Sequence, residues 1–239
     1  MGNQASVKNH LENASRTGVF QLSGSNVSEF PKDVVRIKDT VRSLDLSKNK
    51  LKVIPDYLGT FVNLKHLNLN DNKVGTMPSS IGDLSKLESL SIRNNMLATV
   101  PRSLESLTHL RSVDLSGNHI TSFPKQFCNL KHLDMIDLSR NKITEIPDGV
   151  DGLQVSELNL NQNQISKISD SIASCPRLKV LRLDENCLPA SGIPKKLLTD
   201  SPVSLISVEG NLFEATDFQQ QPGYDVYQER FTATKKKLM

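Results

Sequence analysis

Asparagine recurs along this chain at a nearly constant interval, and this feature limits the possible folds more strongly than any other. The intervals between successive copies are 23, 23, 23, 23, 22, 23 and 25 residues. Each asparagine belongs to the same sequence frame, in which leucine-like residues precede it by five and by three positions. A fixed period of this length is typical of a solenoid, in which every repeat forms one coil. The asparagines are Asn49, Asn72, Asn95, Asn118, Asn141, Asn163, Asn186 and Asn211.

Apolar residues keep a constant place relative to each asparagine. They fall at positions −8, −5, −3, +2 and +5, and the −5/−3 pair alternates with polar residues, which predicts a short half-buried strand. One coil cannot enclose its own apolar side chains, so we expect neighbouring coils to cover one another. We expect each asparagine amide to bind turn backbone in its own coil and in the adjacent coil. Around Asn118 the apolar set is Leu110, Val113, Leu115, Ile120 and Phe123.

Proline follows most of these asparagines by six residues, and it predicts where a short helix begins, since proline is favoured in a helix's first turn. Ser169 and Gly192 take this position in later repeats. The pattern resembles the leucine-rich repeat family, in particular its intracellular, Ras-associated group. The resemblance implies an α/β solenoid: a curved right-handed coil with a parallel concave β-sheet, short convex helices or 3-10 turns, and a capping helix at each end. The prolines are Pro55, Pro78, Pro101, Pro124 and Pro147.

The repeat pattern divides the chain into three predicted segments. Residues 1–16 hold a modification motif and an N-terminal capping helix, which we expect over residues 4–16. Residues 17–213 hold the solenoid, with one degenerate coil followed by eight repeats. Residues 214–239 form a C-terminal cap and a basic tail, where aromatic residues four positions apart, Tyr227 and Phe231, predict a helix over the last coil.

Composition and charge exclude several classes of protein. The net charge is +3, and the one basic run, at residues 235–237, lacks the interleaved aromatic residues that stack on bases, so we expect no nucleic-acid binding. The chain has no apolar stretch of about 20 residues that could span a membrane, and residues 1–16 are too polar for a secretory signal. Secreted members of the resembled family carry disulfide-clustered caps, which the three cysteines here do not form, so a reducing, cytoplasmic compartment is predicted.

The chain carries no motif for catalysis. Its five histidines share no ligand spacing with cysteine or acidic residues, and it has no phosphate loop, nucleophile elbow or metal motif. Asp45, Asp114 and Asp137 share one position of the repeat. A column of like charges on an open sheet is more often solvated than catalytic. We therefore predict a binding protein without enzyme activity, cofactor or metal.

The first six residues fit the N-myristoylation pattern. Gly2 follows the initiator methionine and Ser6 provides the hydroxyl residue that the pattern requires at position six. One myristoyl chain gives only reversible membrane binding, with an association constant on the order of 10⁴ M⁻¹. The motif predicts a cytoplasmic protein that visits membranes through a lipid on Gly2.

The concave sheet is the expected partner-binding surface. In its C-terminal half, residues beside the inward leucines combine exposed apolar and charged side chains, which are common at interface cores. We expect a monomer that binds an unidentified protein there, as a membrane-anchored scaffold or adaptor. Two alternatives stay open: a regulatory subunit of a small GTPase or protein phosphatase, and a soluble assembly factor without lipid. The candidate residues are Met135, Glu157, Val180, Arg182, Asp184 and Leu205.

Overall fold

A computed structural model describes residues 2–238, with side chains described for residues 9–236. Contacts divide the chain into two compact units, Met1–His119 and Ile120–Met239. We call them the N-terminal unit and the C-terminal unit and describe each by itself.

The N-terminal unit is a stack of coils, each contributing one short strand. Neighbouring strands pair in parallel, so that Leu44 lies beside Leu67, and Leu67 beside Leu90. These central residues are buried, while the residues flanking them are more exposed. The elements are α1 (Gly2–Thr17), β1 (Val19–Gln21), β2 (Ser43–Asp45), β3 (His66–Asn68), β4 (Ser89–Ser91) and β5 (Ser112–Asp114), with 3-10 helices at Lys32–Ile37, Asp56–Thr60, Ser79–Asp83 and Arg102–Ser106.

The C-terminal unit continues the same repeat and ends in helices. The strands are β6 (Met135–Asp137), β7 (Glu145–Ile146), β8 (Glu157–Asn159), β9 (Lys167–Ile168), β10 (Val180–Arg182) and β11 (Leu205–Ser207). Four of them, β6, β8, β10 and β11, pair in parallel in that order, and β7 pairs with β9 in a second sheet. The helices are α2 (Lys195–Thr199), α3 (Ala215–Gln219) and α4 (Tyr224–Leu238), with 3-10 helices at Lys125–Asn129, Asp170–Ser174 and Ala190–Gly192.

These elements confirm the predicted leucine-rich repeat solenoid class, with parallel strands, short 3-10 helices and a C-terminal helix. The 3-10 helices begin directly after proline at four of the five predicted positions, because the proline ring holds φ near the helical value, as at Pro55 (φ −75°) and Pro78 (φ −70°).

The coil after Pro147 departs from the prediction, because residues 147–150 form no helix. This repeat is the 22-residue one, and the residues just before Pro147 pair with the next coil through β7 and β9. At the equivalent position of the next repeat, Ser169 stands in place of proline, and the helix Asp170–Ser174 nevertheless follows it directly. Its Oγ accepts a hydrogen bond from Ser171 N (3.1 Å), and its own N–H, which proline would lack, donates to Ile146 O (2.9 Å).

The repeated asparagines link each coil to the one before it. Asn72 Nδ2 donates to Leu69 O in its own turn and to Leu46 O in the preceding coil, both at 3.0 Å. Asn72 Oδ1 accepts from Leu51 N at 2.9 Å. Seven of the eight asparagines are buried, and Asn211, in the last coil, is half-buried. The side chain therefore satisfies turn backbone that the short strands leave without partners.

Helix α1 packs on β1 and on the helix Lys32–Ile37 at the start of the N-terminal unit. Ala14 is fully buried there, and the rings of His10 and Phe20 meet edge to face with centroids 6.4 Å apart. The helix ends before Gly18, whose φ of +74° and whose N–H bond to Ala14 O form a left-handed C-terminal cap. The helix is longer at both ends than the predicted 4–16.

Candidate functional site

The C-terminal unit presents the predicted partner face as two rows of side chains. The parallel register places Glu157 between Met135 and Val180, and Val180 between Glu157 and Leu205. Neighbouring strands lie about 4.8 Å apart, so these side chains form a continuous surface. We call Met135, Glu157, Val180 and Leu205 the first row. The second row, two residues later on each strand, consists of Asp137, Asn159, Arg182 and Ser207.

The first row is apolar apart from Glu157. Met135 is 50% exposed, while Val180 and Leu205 are half-buried. Arg182 crosses from the second row to pair with Glu157, with Nε 2.9 Å from Oε1. Both side chains are about a third exposed, so this ion pair contributes little stability and chiefly neutralises the middle of the face. The predicted face is thus an apolar strip with its one central carboxylate already paired.

The side chain of Asp184 forms a hydrogen bond with the backbone of the neighbouring coil. Its Oδ1 accepts from Glu209 N at 2.9 Å, and its own N–H donates to Asn161 Oδ1 at 2.8 Å. The carboxylate therefore fixes the turn that follows β11. One of its oxygens is already occupied within the fold, which limits the contact that Asp184 could offer to a partner.

A pocket of about 630 Å³ opens beside this face, between β11 and the C-terminal helices. The predicted residues Leu205 and Arg182 line one side. Aromatic side chains, Phe213, Phe218 and Tyr224, line the other. The rings of Phe218 and Tyr224 meet edge to face with centroids 5.3 Å apart, a favourable aromatic geometry. A pocket lined in part by aromatic rings thus adjoins the apolar strip.

Acidic residues and an unpartnered hydroxyl complete the pocket. Glu209 and Glu214 lie in its wall, together with Ser207. Ser207 Oγ is buried and has no hydrogen-bond partner among the described residues. Since Arg182 is paired with Glu157, the pocket wall has an excess of negative charge.

Helix α4 holds the far wall of the pocket in place. Tyr227 is 4% exposed, and its hydroxyl accepts from Ile206 N in β11 at 3.0 Å. Burial raises the pKa of Tyr227, so the hydroxyl stays protonated at neutral pH. Arg230 donates to Leu198 O (2.5 Å) and Val203 O (3.1 Å), and burial lowers the pKa of its guanidinium. These bonds tie α4 to α2 and to the chain entering β11.

The sequence pattern predicts a C-terminal cap with Tyr227 and Phe231 but not the pocket. The available signal was the density of Phe213, Phe218 and Tyr224 beside the turn at Pro222-Gly223, a number of rings that one helix face cannot bury. Arg230 gave no signal, because its partners are backbone carbonyls that no side-chain pattern marks.

The aspartates that share one repeat position also bind backbone, each in its own turn. Asp45, Asp114 and Asp137 each accept, through Oδ1, a hydrogen bond from the backbone N–H two residues later, at 2.9, 3.0 and 2.8 Å. Their recurrence therefore follows from turn formation in each coil. Within the described part of the chain, no group of histidine, cysteine and acidic side chains is arranged to hold a metal ion.

The predicted lipid site is at the other end of the chain. Gly2 is the first residue of α1, but the side chains of residues 1–8 lie outside those described. In the basic tail, Lys235 and Lys236 are exposed, and the side chain of Lys237 is likewise outside the described set. The helices described between residues 2 and 238 are each too short or too polar to cross a bilayer.

Comparison with known proteins agrees with this repeat architecture. The leucine rich repeat model matches residues 39–97, 74–120 and 108–165. A leucine-rich repeat protein of Leptospira interrogans is 30% identical, with a TM-score of 0.70 over 78% of this chain and 48% of that chain.

Two receptors share the fold at lower identity. The leucine-rich repeat ectodomain of the Arabidopsis thaliana membrane receptor kinase GASSHO1/SCHENGEN3, solved in complex with CASPARIAN STRIP INTEGRITY FACTOR 2, is 24% identical (TM-score 0.63; 77% of this chain, 23% of that chain). A TDR receptor is 19% identical (TM-score 0.72; 84% and 36%). This chain spans about half or less of the length of these three solved structures.

Proposed function

Because this chain belongs to the leucine-rich repeat family, we propose that it is a non-catalytic scaffold that binds a protein partner through the first row and the adjoining pocket. The observation that carries the proposal is the continuity of an apolar strip with a pocket of about 630 Å³ lined by aromatic rings. Binding energy at protein interfaces concentrates where such rings receive a partner's side chain away from water.

The partner's chemistry follows from the charge of the pocket wall. Glu209 and Glu214 add negative charge to an otherwise apolar surface, while Arg182 is engaged by Glu157. A matching segment has a large apolar side chain that enters the pocket, with lysine or arginine beside it. Such charge complementarity increases association rate and specificity more than affinity.

Two substitutions in the first row test this proposal. Val180→Glu with Leu205→Glu places charge on the apolar strip, and we expect loss of the principal partner in quantitative affinity purification. Val62→Glu with Met96→Glu is the matched control, because both residues are exposed apolar residues of the N-terminal unit, 45% and 51% exposed. Undiminished capture by the first-row variant would refute the site. A captured enzyme whose activity changes on binding would favour a regulatory subunit over a passive scaffold.

We further propose that Gly2 carries a myristoyl group that brings the protein to cytoplasmic membrane surfaces. The support is the sequence pattern from Gly2 to Ser6. Intact mass spectrometry of protein from eukaryotic cells should find a myristate-sized gain that Gly2→Ala abolishes together with the membrane-bound fraction. An unmodified N-terminus would leave a soluble assembly factor as the remaining interpretation.

A further inference from the structure

Four exposed lysines of the N-terminal unit follow strands β2 and β3, and a fifth, Lys32, begins the 3-10 helix of the coil before them. The segment Lys48-Asn49-Lys50-Leu51-Lys52 alternates lysine with buried residues, so its lysines project outward. We call the cluster the lysine ledge. Its members are Lys32, Lys48, Lys50, Lys52 and Lys73.

Backbone contacts bring these lysines together from three successive coils. Lys73 N donates to Leu51 O at 2.8 Å, which sets Lys73 beside the segment that carries Lys50 and Lys52. On the other side, Lys32 and Lys52 line one groove of about 480 Å³. The cluster is therefore a property of the stacked coils as well as of the local sequence.

The charge of the ledge is largely unneutralised. Among the described side chains, none of its five lysines forms an ion pair, whereas Lys65 in the same unit is bound by Glu88 at 2.6 Å. The nearby carboxylate of Asp71 accepts from Asn94 Nδ2 at 2.7 Å, and Glu29 is the one acidic residue lining the groove. Residues 1–119 carry 15 lysines and arginines against 11 acidic residues.

An exposed aliphatic side chain lies among these lysines. Val53 is 65% exposed and lines the same groove as Lys32 and Lys52. A bilayer surface suits this combination, since lysines attract anionic headgroups while an exposed aliphatic group enters the interface. A nucleic acid would favour exposed aromatic rings on which bases stack. The two rings of the groove, Phe30 and Tyr57, instead pack against each other with centroids 5.9 Å apart, and Phe30 is buried while Tyr57 is half-buried.

We propose that the lysine ledge binds the anionic lipid surface of a membrane and is the second membrane contact of this protein. The inference builds on the lipid anchor proposed above, because one myristoyl chain needs a second signal, such as a basic patch, for stable attachment. Each lysine near an anionic surface contributes about a fivefold gain in binding.

Vesicle binding by unlipidated protein tests the ledge separately from the lipid. The full-length Gly2→Ala protein is mixed with phosphatidylcholine vesicles that either contain or lack phosphatidylserine, and the bound fraction is measured by sedimentation. A triple variant, Lys50→Gln, Lys52→Gln and Lys73→Gln, is compared with Lys131→Gln, Lys142→Gln and Lys167→Gln. The control removes the same charge from exposed lysines of the C-terminal unit that also lack ion pairs among the described side chains.

We expect phosphatidylserine-dependent binding that the ledge triple weakens by roughly tenfold or more and that the control triple largely retains. Val53→Ser should weaken it further at unchanged charge. Equal binding by the two triple variants, no dependence on phosphatidylserine, or ledge-dependent binding of RNA alone would overturn the proposal. Thermal unfolding verifies that both triples stay folded, and intact mass reports lipidation of Gly2 independently.

Discussion

Asn118 stabilises two coils at once through a single amide. Its Nδ2 donates to Leu115 O in its own turn and to Ile92 O in the preceding coil, both at 2.9 Å. Its Oδ1 accepts from Leu97 N at 3.0 Å. The residue is 3% exposed, so water cannot replace these bonds when the amide is removed.

Replacing Asn118 with alanine should therefore lower the free energy of unfolding by about 1–3 kcal/mol, because buried backbone groups lose their partners. The measurement is urea denaturation followed by circular dichroism. Asn129→Ala is the control, since Asn129 is exposed on the helix Lys125–Asn129 and should change stability by roughly 0.5 kcal/mol or less. Equal losses in the two variants would contradict the role given to the repeated asparagine.

Cys175 and Cys187 should differ sharply in reactivity. Burial raises the pKa of Cys175 to about 12, and its Sγ donates to Val150 O at 3.2 Å, so almost no thiolate forms at neutral pH. Cys187 is exposed. Iodoacetamide under native conditions should label Cys187 and spare Cys175 until urea unfolds the protein, as read by peptide mass spectrometry. Rapid native labelling of Cys175 would mean that its coil opens readily.

At the scale of elements, the C-terminal helices complete the last coil. Strand β11 pairs with β10, and Tyr227 of α4 covers its other side through the bond to Ile206 N. Arg230 binds the last carbonyls of α2. The cap is thus attached by hydrogen bonds to an edge strand as well as by apolar contact, which protects that edge from pairing with another chain.

Tyr227→Phe should lower the free energy of unfolding by about 1–3 kcal/mol, because it keeps the ring but leaves a buried N–H without its partner. Tyr224→Phe is the matched control: Tyr224 is half-buried and its hydroxyl has no hydrogen bond in the described structure. Thermal and urea unfolding of the two variants measure the difference. A loss as large in Tyr224→Phe would remove the argument for the bond to β11.

The elements also show what repeat spacing can and cannot predict. The asparagine frame predicts the eight strands that precede an asparagine, β2 to β6, β8, β10 and β11, because each position of the frame has the same surroundings in every coil. The proline position predicts four helices and fails after Pro147, in the repeat that is one residue shorter than its neighbours. Ser169 begins a helix without proline because its hydroxyl binds Ser171 N. A local hydrogen bond thus decides the Ser169 coil, and the repeat pattern does not record it.

At the scale of the molecule, the fold was predictable from period alone, whereas the site was predictable only in part. Val180 and Leu205 stand at repeat positions that point outward, so sequence identifies them as surface residues. The pocket joins Leu205 and Phe213, which takes the apolar +2 position after Asn211, to Tyr224, which lies outside the repeat frame. Their meeting depends on the turn between α3 and α4, where Gly223 has a φ of +94°. No periodicity carries that information.

The two units also differ in charge, and this difference fits two kinds of contact. Residues 1–119 have an excess of basic side chains, and residues 120–239 carry 14 lysines and arginines against 15 acidic residues. We propose that the N-terminal unit contacts anionic lipid and that the C-terminal unit binds a protein segment with basic and apolar side chains.

We also expect a monomer, since α4 covers the edge of β11. Light scattering after gel filtration should give the mass of one chain, and a dimer mass would contradict this.

Site-directed photo-crosslinking in cells tests whether the first row and its pocket bind the protein partner. A benzophenone amino acid replaces Val180 in the first row or, as a control, Ser89 at the equivalent position of the N-terminal unit. We expect one dominant crosslinked protein from position 180, absent from position 89 and lost when Leu205→Glu is added. Crosslinking from position 89 alone, or from 180 irrespective of Leu205, would contradict the assignment of partner binding to the first row and its pocket.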